Sequence, residues 1–142
     1  MIVLDTNVIS EFMRPDPSPA VVAWLNAIPR GEIWTTSITV GELAAGIAML
    51  PAGKRRTRLD EAFAVALQGF DKRILSFTPA AALRYGTVVA KRAQAGRPIS
   101  IADAQIAAVV HHADATLATR NVRDFEATGM RVLDPWSAPP AS

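Results

Sequence analysis

Four acidic residues stand far apart in the chain: Asp5 in Met1-Ile-Val-Leu-Asp-Thr-Asn, Glu42 in Thr39-Val-Gly-Glu-Leu, Asp103 in Ser100-Ile-Ala-Asp-Ala-Gln, and Asp124 in Thr119-Arg-Asn-Val-Arg-Asp-Phe. Each falls where the residue pattern hands over from strand to helix, or where a helix begins. In an alternating strand/helix fold such points converge on one edge of the sheet, outside the carboxyl ends of the strands. Carboxylates gathered there repel one another unless a positive charge sits between them, and a hard divalent cation is the usual solution. The chemistry this predicts is metal-assisted hydrolysis of a phosphodiester.

Short polar residues accompany the acids. Thr6, Asn7, Ser100, Thr119 and Asn121 have the size and donors to position a metal-bound water or a phosphate oxygen. Arg120 and Arg123 flank the fourth acid and can meet phosphate in bidentate fashion; pairing with Asp124 or Glu126 is their structural alternative. Asp103 and Glu42 also have a structural alternative as helix-start residues that complement the dipole. Asp5 resists that account, because it ends an apolar strand and would be partly desolvated. Arg55 and Arg56, in Lys54-Arg-Arg-Thr-Arg58, offer either a phosphate contact or a solvated helix start. His111 and His112 raise the prospect of metal-free, histidine-based chemistry. They lie roughly 12–14 Å along the same helix from Asp103, at about 1.5 Å per residue, and read as dipole partners at its C-terminal end.

The elements that must position these groups are legible as a strand/helix alternation. Met1–Leu4 reads as a buried parallel strand, and Thr6 and Asn7 offer capping chemistry for a short helix through Phe12. Ser18-Pro19 opens a second helix, and Ile33–Thr36 is rich in β-formers. A small-residue helix spans Ile38 to about Leu50. A basic-to-apolar helix follows to Phe70, with Leu59, Phe63, Val65, Ala66 and Phe70 available for burial. Arg73–Phe77 is a third strand, Thr78-Pro79 starts a helix to about Ala95, and Ser100-x-x-Asp103 starts another. Thr116–Thr119 and Arg131–Leu133 complete the strands, with a turn of helix over Val122–Ala127 between them. The pattern implies an α/β fold in three layers, α/β/α, with a mostly parallel central sheet of about five strands.

At 142 residues the chain reads as one domain over 1–134 with a Pro- and Ala-rich tail at 135–142, partly flexible, whose Trp136 is available to dock. It is 50% hydrophobic and 20% charged, which fits a globular protein and argues against disorder. Cysteine is absent, which excludes disulfides and thiolate chemistry. No apolar run approaches the roughly 20 residues of a membrane span, and no basic leader precedes the first strand, so the expected setting is cytoplasmic. Net charge is only +2, but 12 of the 15 basic residues are Arg, a bias that suits phosphate and bases and equally an Arg-coding genome.

Taken together, Asp5-Thr6-Asn7 after a first strand, Thr-Val-Gly-Glu42-Leu, Ile-Ala-Asp103-Ala-Gln-Ile-Ala-Ala, Ala-Thr-Arg-Asn121-Val-Arg-Asp124-Phe and the closing Val132-Leu-Asp-Pro-Trp136 resemble PIN-domain ribonucleases. More narrowly they resemble VapC toxins of type II toxin–antitoxin pairs, in the FitB-like branch. The resemblance covers essentially the whole chain. It implies a Mg²⁺- or Mn²⁺-dependent endoribonuclease in which Asp5, Glu42 and Asp103 are catalytic and hold the metal, and RNA is cut by metal-activated water. Relatives place the fourth acid at the position of Asn121 or of Asp124; Asn121 carries no charge, so the role falls to Asp124. The resemblance further implies a homodimer and a VapB-like antitoxin that places a basic side chain toward the acidic pocket. Operator DNA would be read only through that antitoxin. Two other classes compete. One is a catalytically silent PIN-like module that binds RNA or acts as a scaffold. The other is a Mg²⁺-binding α/β signalling domain, for which Asp5 lacks the paired acid and Arg73–Phe77 lacks a following one.

Overall fold

In the run Ile2-Val3-Leu4 successive side chains must point to opposite faces of a sheet, and both faces are apolar. Val3 packs in one core cluster with Leu117, Ile106, Val110 and Phe125, whereas Leu4 packs in a second with Val8, Ile9, Leu43, Ile47 and Phe70. A strand buried on both sides is the mark of a parallel sheet covered by helices. The computed structural model describes residues 1–138. Among them are five strands, β1 (Ile2–Leu4), β2 (Ile33–Thr36), β3 (Ile74–Leu75), β4 (Thr116–Ala118) and β5 (Arg131–Leu133), and six helices, α1 (Thr6–Phe12), α2 (Pro19–Asn26), α3 (Ser37–Ala48), α4 (Lys54–Phe70), α5 (Pro79–Gln94) and α6 (Ile101–His112). Two 3₁₀ turns cover Arg30–Glu32 and Val122–Phe125.

The strands form one sheet in the order β3-β2-β1-β4-β5, parallel throughout. Val3 stands opposite Trp34 on one side and Leu117 on the other. The chain runs outward from β1 through β2 to β3, then returns to β4 on the opposite side of β1. This reversal makes the gap between β1 and β4 the switch point of the topology, where a crevice opens at the carboxyl ends of the strands. Asp5 follows β1 and Thr119 follows β4, so the crevice opens between them.

Several local expectations shift. The cap of α1 is Asp5 itself, whose carboxylate accepts from the Thr6 N–H at 2.8 Å; Thr6 is the first helical residue. Thr36, at the end of β2, caps α3 through the Thr39 N–H, so Glu42 lies inside the helix instead of at its start. Thr78 and Ser100 cap α5 and α6 as expected, whereas Ser18 makes no side-chain cap bond. Strand β3 is shorter than Arg73–Phe77, spanning Ile74–Leu75, while the Arg73 guanidinium donates to the carbonyls of Arg30 and Gly69. Val65 is 70% exposed, on the outer side of α4. In the tail Pro135 is buried and Trp136 packs partly against the second core cluster; residues 139–142 lie outside the described residues.

Candidate active site

Asp5 is the most enclosed of the four acids, at 5% exposure. Its N–H extends the ladder by donating to Ala118 O at 3.0 Å, which ties the residue to β4. One carboxylate oxygen accepts from the Thr6 N–H; the other accepts from the Thr119 hydroxyl at 2.8 Å and from the Asn7 amide at 3.4 Å. Asn7 also donates to Thr119 Oγ1 at 3.1 Å and accepts from the Arg120 N–H at 3.0 Å, and the Asn121 N–H donates to Thr119 Oγ1. The Asp-Thr-Asn of the first strand and the Thr-Arg-Asn after the fourth are thus laced into one network. Burial pushes the Asp5 carboxyl above the ordinary carboxylate range. Bonds from Thr119 and the Thr6 backbone pull against this, while the charges of Glu42 and Asp124 push it further up.

Glu42 reaches the same place from the second turn of α3. It is exposed, and its Oε1 accepts from the Thr6 hydroxyl at 2.9 Å. Asp103 sits in the first turn of α6, its N–H held by Ser100 Oγ at 3.2 Å. Burial raises its carboxyl too; the Ser100 bond lowers it, Asp5 and Asp124 raise it, and Arg92 lowers it. Asp5, Thr6, Asn7, Glu42, Asp103 and Asn121 line a common cleft of about 600 Å³. Asp124 is exposed on its 3₁₀ turn and is not part of the lining, although its charge is felt by both Asp5 and Asp103. Among the described residues no three His, Cys, Asp or Glu side chains are arranged to close around a metal ion unaided.

The basic candidates separate. Arg55 and Arg120 line the cleft, joined by Arg14 and Arg58. Arg56 instead donates to Leu50 O at 3.4 Å, and Arg123 is not among the lining residues. His111 and His112 lie in the last turn of α6, at the opposite end from Asp103.

Two residues were not legible as parts of this region. Glu11 lines the cleft and is buried, and its carboxylate is held by Arg14 and by the Ser18 N–H. The one signal for it in sequence was the i,i+3 spacing to Arg14, which any surface pair shares. Arg92 on α5 is 5% exposed and donates to the carbonyls of Arg123, Glu126 and Pro98. It thereby clamps the turn bearing Asp124 to the connection leading into Asp103; an Arg inside a helix gives no sequence sign of that.

The PIN domain profile matches residues 2–129. The chain belongs to the PIN-domain family. Among its relatives, the VapC ribonuclease Y4jK of Sinorhizobium fredii is 41% identical to this PIN domain over 140 residues, covering 96% of the chain and 98% of the relative. Toxin FitB of Neisseria gonorrhoeae is 39% identical over 137 residues, covering 96% and 99%. The solved structure of FitAB bound to an IR36 DNA fragment superposes with a TM-score of 0.90 at 38% identity, over 98% of each chain. The relatives put this PIN domain in the VapC branch that includes FitB. No helix of the described residues is long and apolar enough to cross a membrane.

Proposed function

We propose that this chain is a Mg²⁺- or Mn²⁺-dependent endoribonuclease acting as the toxin of a toxin–antitoxin pair. The observation that carries the reading is the buried Asp5 carboxylate, turned to a cleft it shares with Glu42 and Asp103. Of the ion pairs among the described residues, none involves any of the four acids. Buried or crowded carboxylates without a cationic side chain are what a hard divalent ion, bound by oxygen and still carrying water, would relieve. No three of these side chains are placed to hold an ion by themselves, so the donor set fits one that keeps several waters, with Asp5, Glu42 and Asp103 as the residues that would hold it and Asp124 as a contributor of charge.

When bound, the ion supplies an acidified water and positive charge at the phosphate, the two things phosphodiester hydrolysis lacks at neutral pH. The protein supplies orientation. Thr6 serves both carboxylates, its N–H fixing Asp5 and its hydroxyl fixing Glu42. Thr119 and Asn7 hold the second Asp5 oxygen, so that its rotamer is set before substrate arrives. Arg55, Arg58 and Arg120 at the rim give a polyanion its counter-charge without neutralising the floor.

The purified chain, freed of any partner, is expected to cut RNA with Mg²⁺ or Mn²⁺ and not in EDTA. Asp5→Asn should abolish cutting while circular dichroism reports an intact fold. Cutting by that variant in EDTA at the wild-type rate would sink the mechanism. The reading extends to partners. The outer face of α3, where Gly41, Ala44, Ala45 and Ala48 are exposed and a Cβ on Gly41 would touch nothing, is open to a second subunit or an antitoxin segment. We expect a homodimer neutralised by a VapB-like antitoxin, which would also supply any recognition of operator DNA. Light scattering that finds only monomer at micromolar concentration would remove the dimer.

A further inference from the structure

The cleft rim carries a pair that the acidic floor does not need. Trp136 lines the cleft, and the Arg120 guanidinium carbon stands over its ring, 4.9 Å from the centre. Both residues are anchored by their main chains. The Arg120 N–H donates to Asn7, which in turn bonds Thr119 and Asp5. On the other side Asp134 accepts from the Trp136 N–H at 2.9 Å and from the Ser137 hydroxyl at 3.1 Å, next to the buried Pro135. The pair is therefore fixed relative to Asp5, although its members come from the β4 loop and from the end of the chain.

Among the described residues no carboxylate pairs with the Arg120 guanidinium, and no side-chain hydrogen bond engages it. The guanidinium lines the cleft over the face of an indole, and Glu11 in the same cleft feels its charge. A phosphate would need the charge but not the indole. A flat π system needs both, because unpaired bases stack on guanidinium planes and on aromatic rings, and an indole-backed guanidinium offers such a platform.

We propose that Arg120 on Trp136 is the seat of a nucleobase next to the scissile phosphate, a base-binding position built from the β4 loop and the end of the chain. The inference rests on the nuclease reading above and adds to it a position that holds a base.

The test measures anisotropy of short labelled single-stranded RNAs in EDTA at low salt. It compares an intact oligonucleotide with a series in which one ribose at a time lacks its base. The wild type should bind the intact RNA about tenfold more tightly than at least one member of the series. Trp136→Ala should bind both alike, and Trp136→Phe should keep most of the difference. Equal affinities for the wild type, or no measurable binding of either RNA, overturn the seat. Cutting of a long RNA with Mg²⁺ by the same wild-type preparation reports on the nuclease separately. Cutting with equal affinities removes the seat alone; a base preference without cutting removes the nuclease and leaves a base-reading cleft.

Discussion

Two buried carboxylates stand at the two ends of α1 and line the same cleft, yet their surroundings treat them in opposite ways. Glu11 accepts from the Arg14 guanidinium at 3.0 and 3.1 Å and from the Ser18 N–H at 3.0 Å. The Arg14 bond holds its carboxyl below the ordinary range against the opposing effect of burial. Asp5 has only neutral donors, and its carboxyl is raised by burial first and then by the charges of its acidic neighbours. A buried acid with its own cation pins a turn, here the one through Arg14-Pro-Asp-Pro17. A buried acid left without one stores a demand for positive charge that a ligand can meet.

The largest effect should come from neutralising the acid without a cation. Asp5→Asn is expected to lower cutting by about a thousandfold or more, each tenfold being about 1.4 kcal/mol of transition-state stabilisation. It should also raise the thermal midpoint of the metal-free protein, because a desolvated charge is gone. A fall in that midpoint would place Asp5 beside Glu11 as a structural carboxylate and break the contrast.

Glu11→Gln should do the reverse. It weakens the contact to Arg14 and is expected to cost about 1–3 kcal/mol in urea denaturation, with cutting per folded molecule changed by only a few-fold. Loss of cutting at unchanged stability would show that both acids serve the chemistry.

The pH dependence should separate them again. A lowered pKa in the folded state means that Glu11 contributes stability above the ordinary carboxylate range, and that contribution is lost as pH falls through the folded value. For Asp5 and Asp103 the sign is opposite. Their raised values make the metal-free protein more stable as pH falls from neutral toward the upper carboxylate range, and less stable as it rises. Thermal midpoints measured against pH without metal should therefore rise on mild acidification before falling at lower pH. Asp5→Asn should flatten the rise and Glu11→Gln the fall. A wild-type profile with no rise would contradict the raised pair.

The smallest effect concerns the rim. Arg14 is engaged by Glu11, whereas Arg55 lines the cleft and pairs with no carboxylate among the described residues. Arg55→Ala should weaken RNA binding modestly and reduce its salt slope by about 0.7. Arg56→Ala, whose guanidinium serves Leu50 O, should change neither. Equal slopes for both variants would mean that the rim charge acts without regard to position.

Much of this was written in residue types. The apolar run before Asp5, the caps Thr78 and Ser100 and the strand Arg131–Leu133 appear where local chemistry puts them, because each depends on its own neighbours. That Asp5, Glu42 and Asp103 share a cleft followed from the rule that strand ends converge. What did not follow are features fixed by distant partners. Thr36 takes the cap of α3 from the end of a strand, which moves Glu42 from the expected helix start to the second turn, from where it lines the cleft. Val65 shares the apolar character of Phe63 and Ala66, but helical spacing turns it to the outer side, where no element covers it. Arg56 and Arg55 are indistinguishable in a basic run, and only the fold decides which meets the cleft.

The hydroxyl of Thr119 and the carboxylate of Asp5 are separated by 114 positions. Because synthesis runs from Asp5 toward Thr119, the earlier carboxylate waits for the later hydroxyl before it is set, since β1 has no neighbour on that side until β4 has emerged. A product shortened before Thr116 would lack both the flanking strand and the hydroxyl, and would hold Asp5 in no fixed pose. The cleft around Asp5 is therefore completed only once β4 has been made, and on the nuclease reading a chain stopped short of it should leave RNA intact.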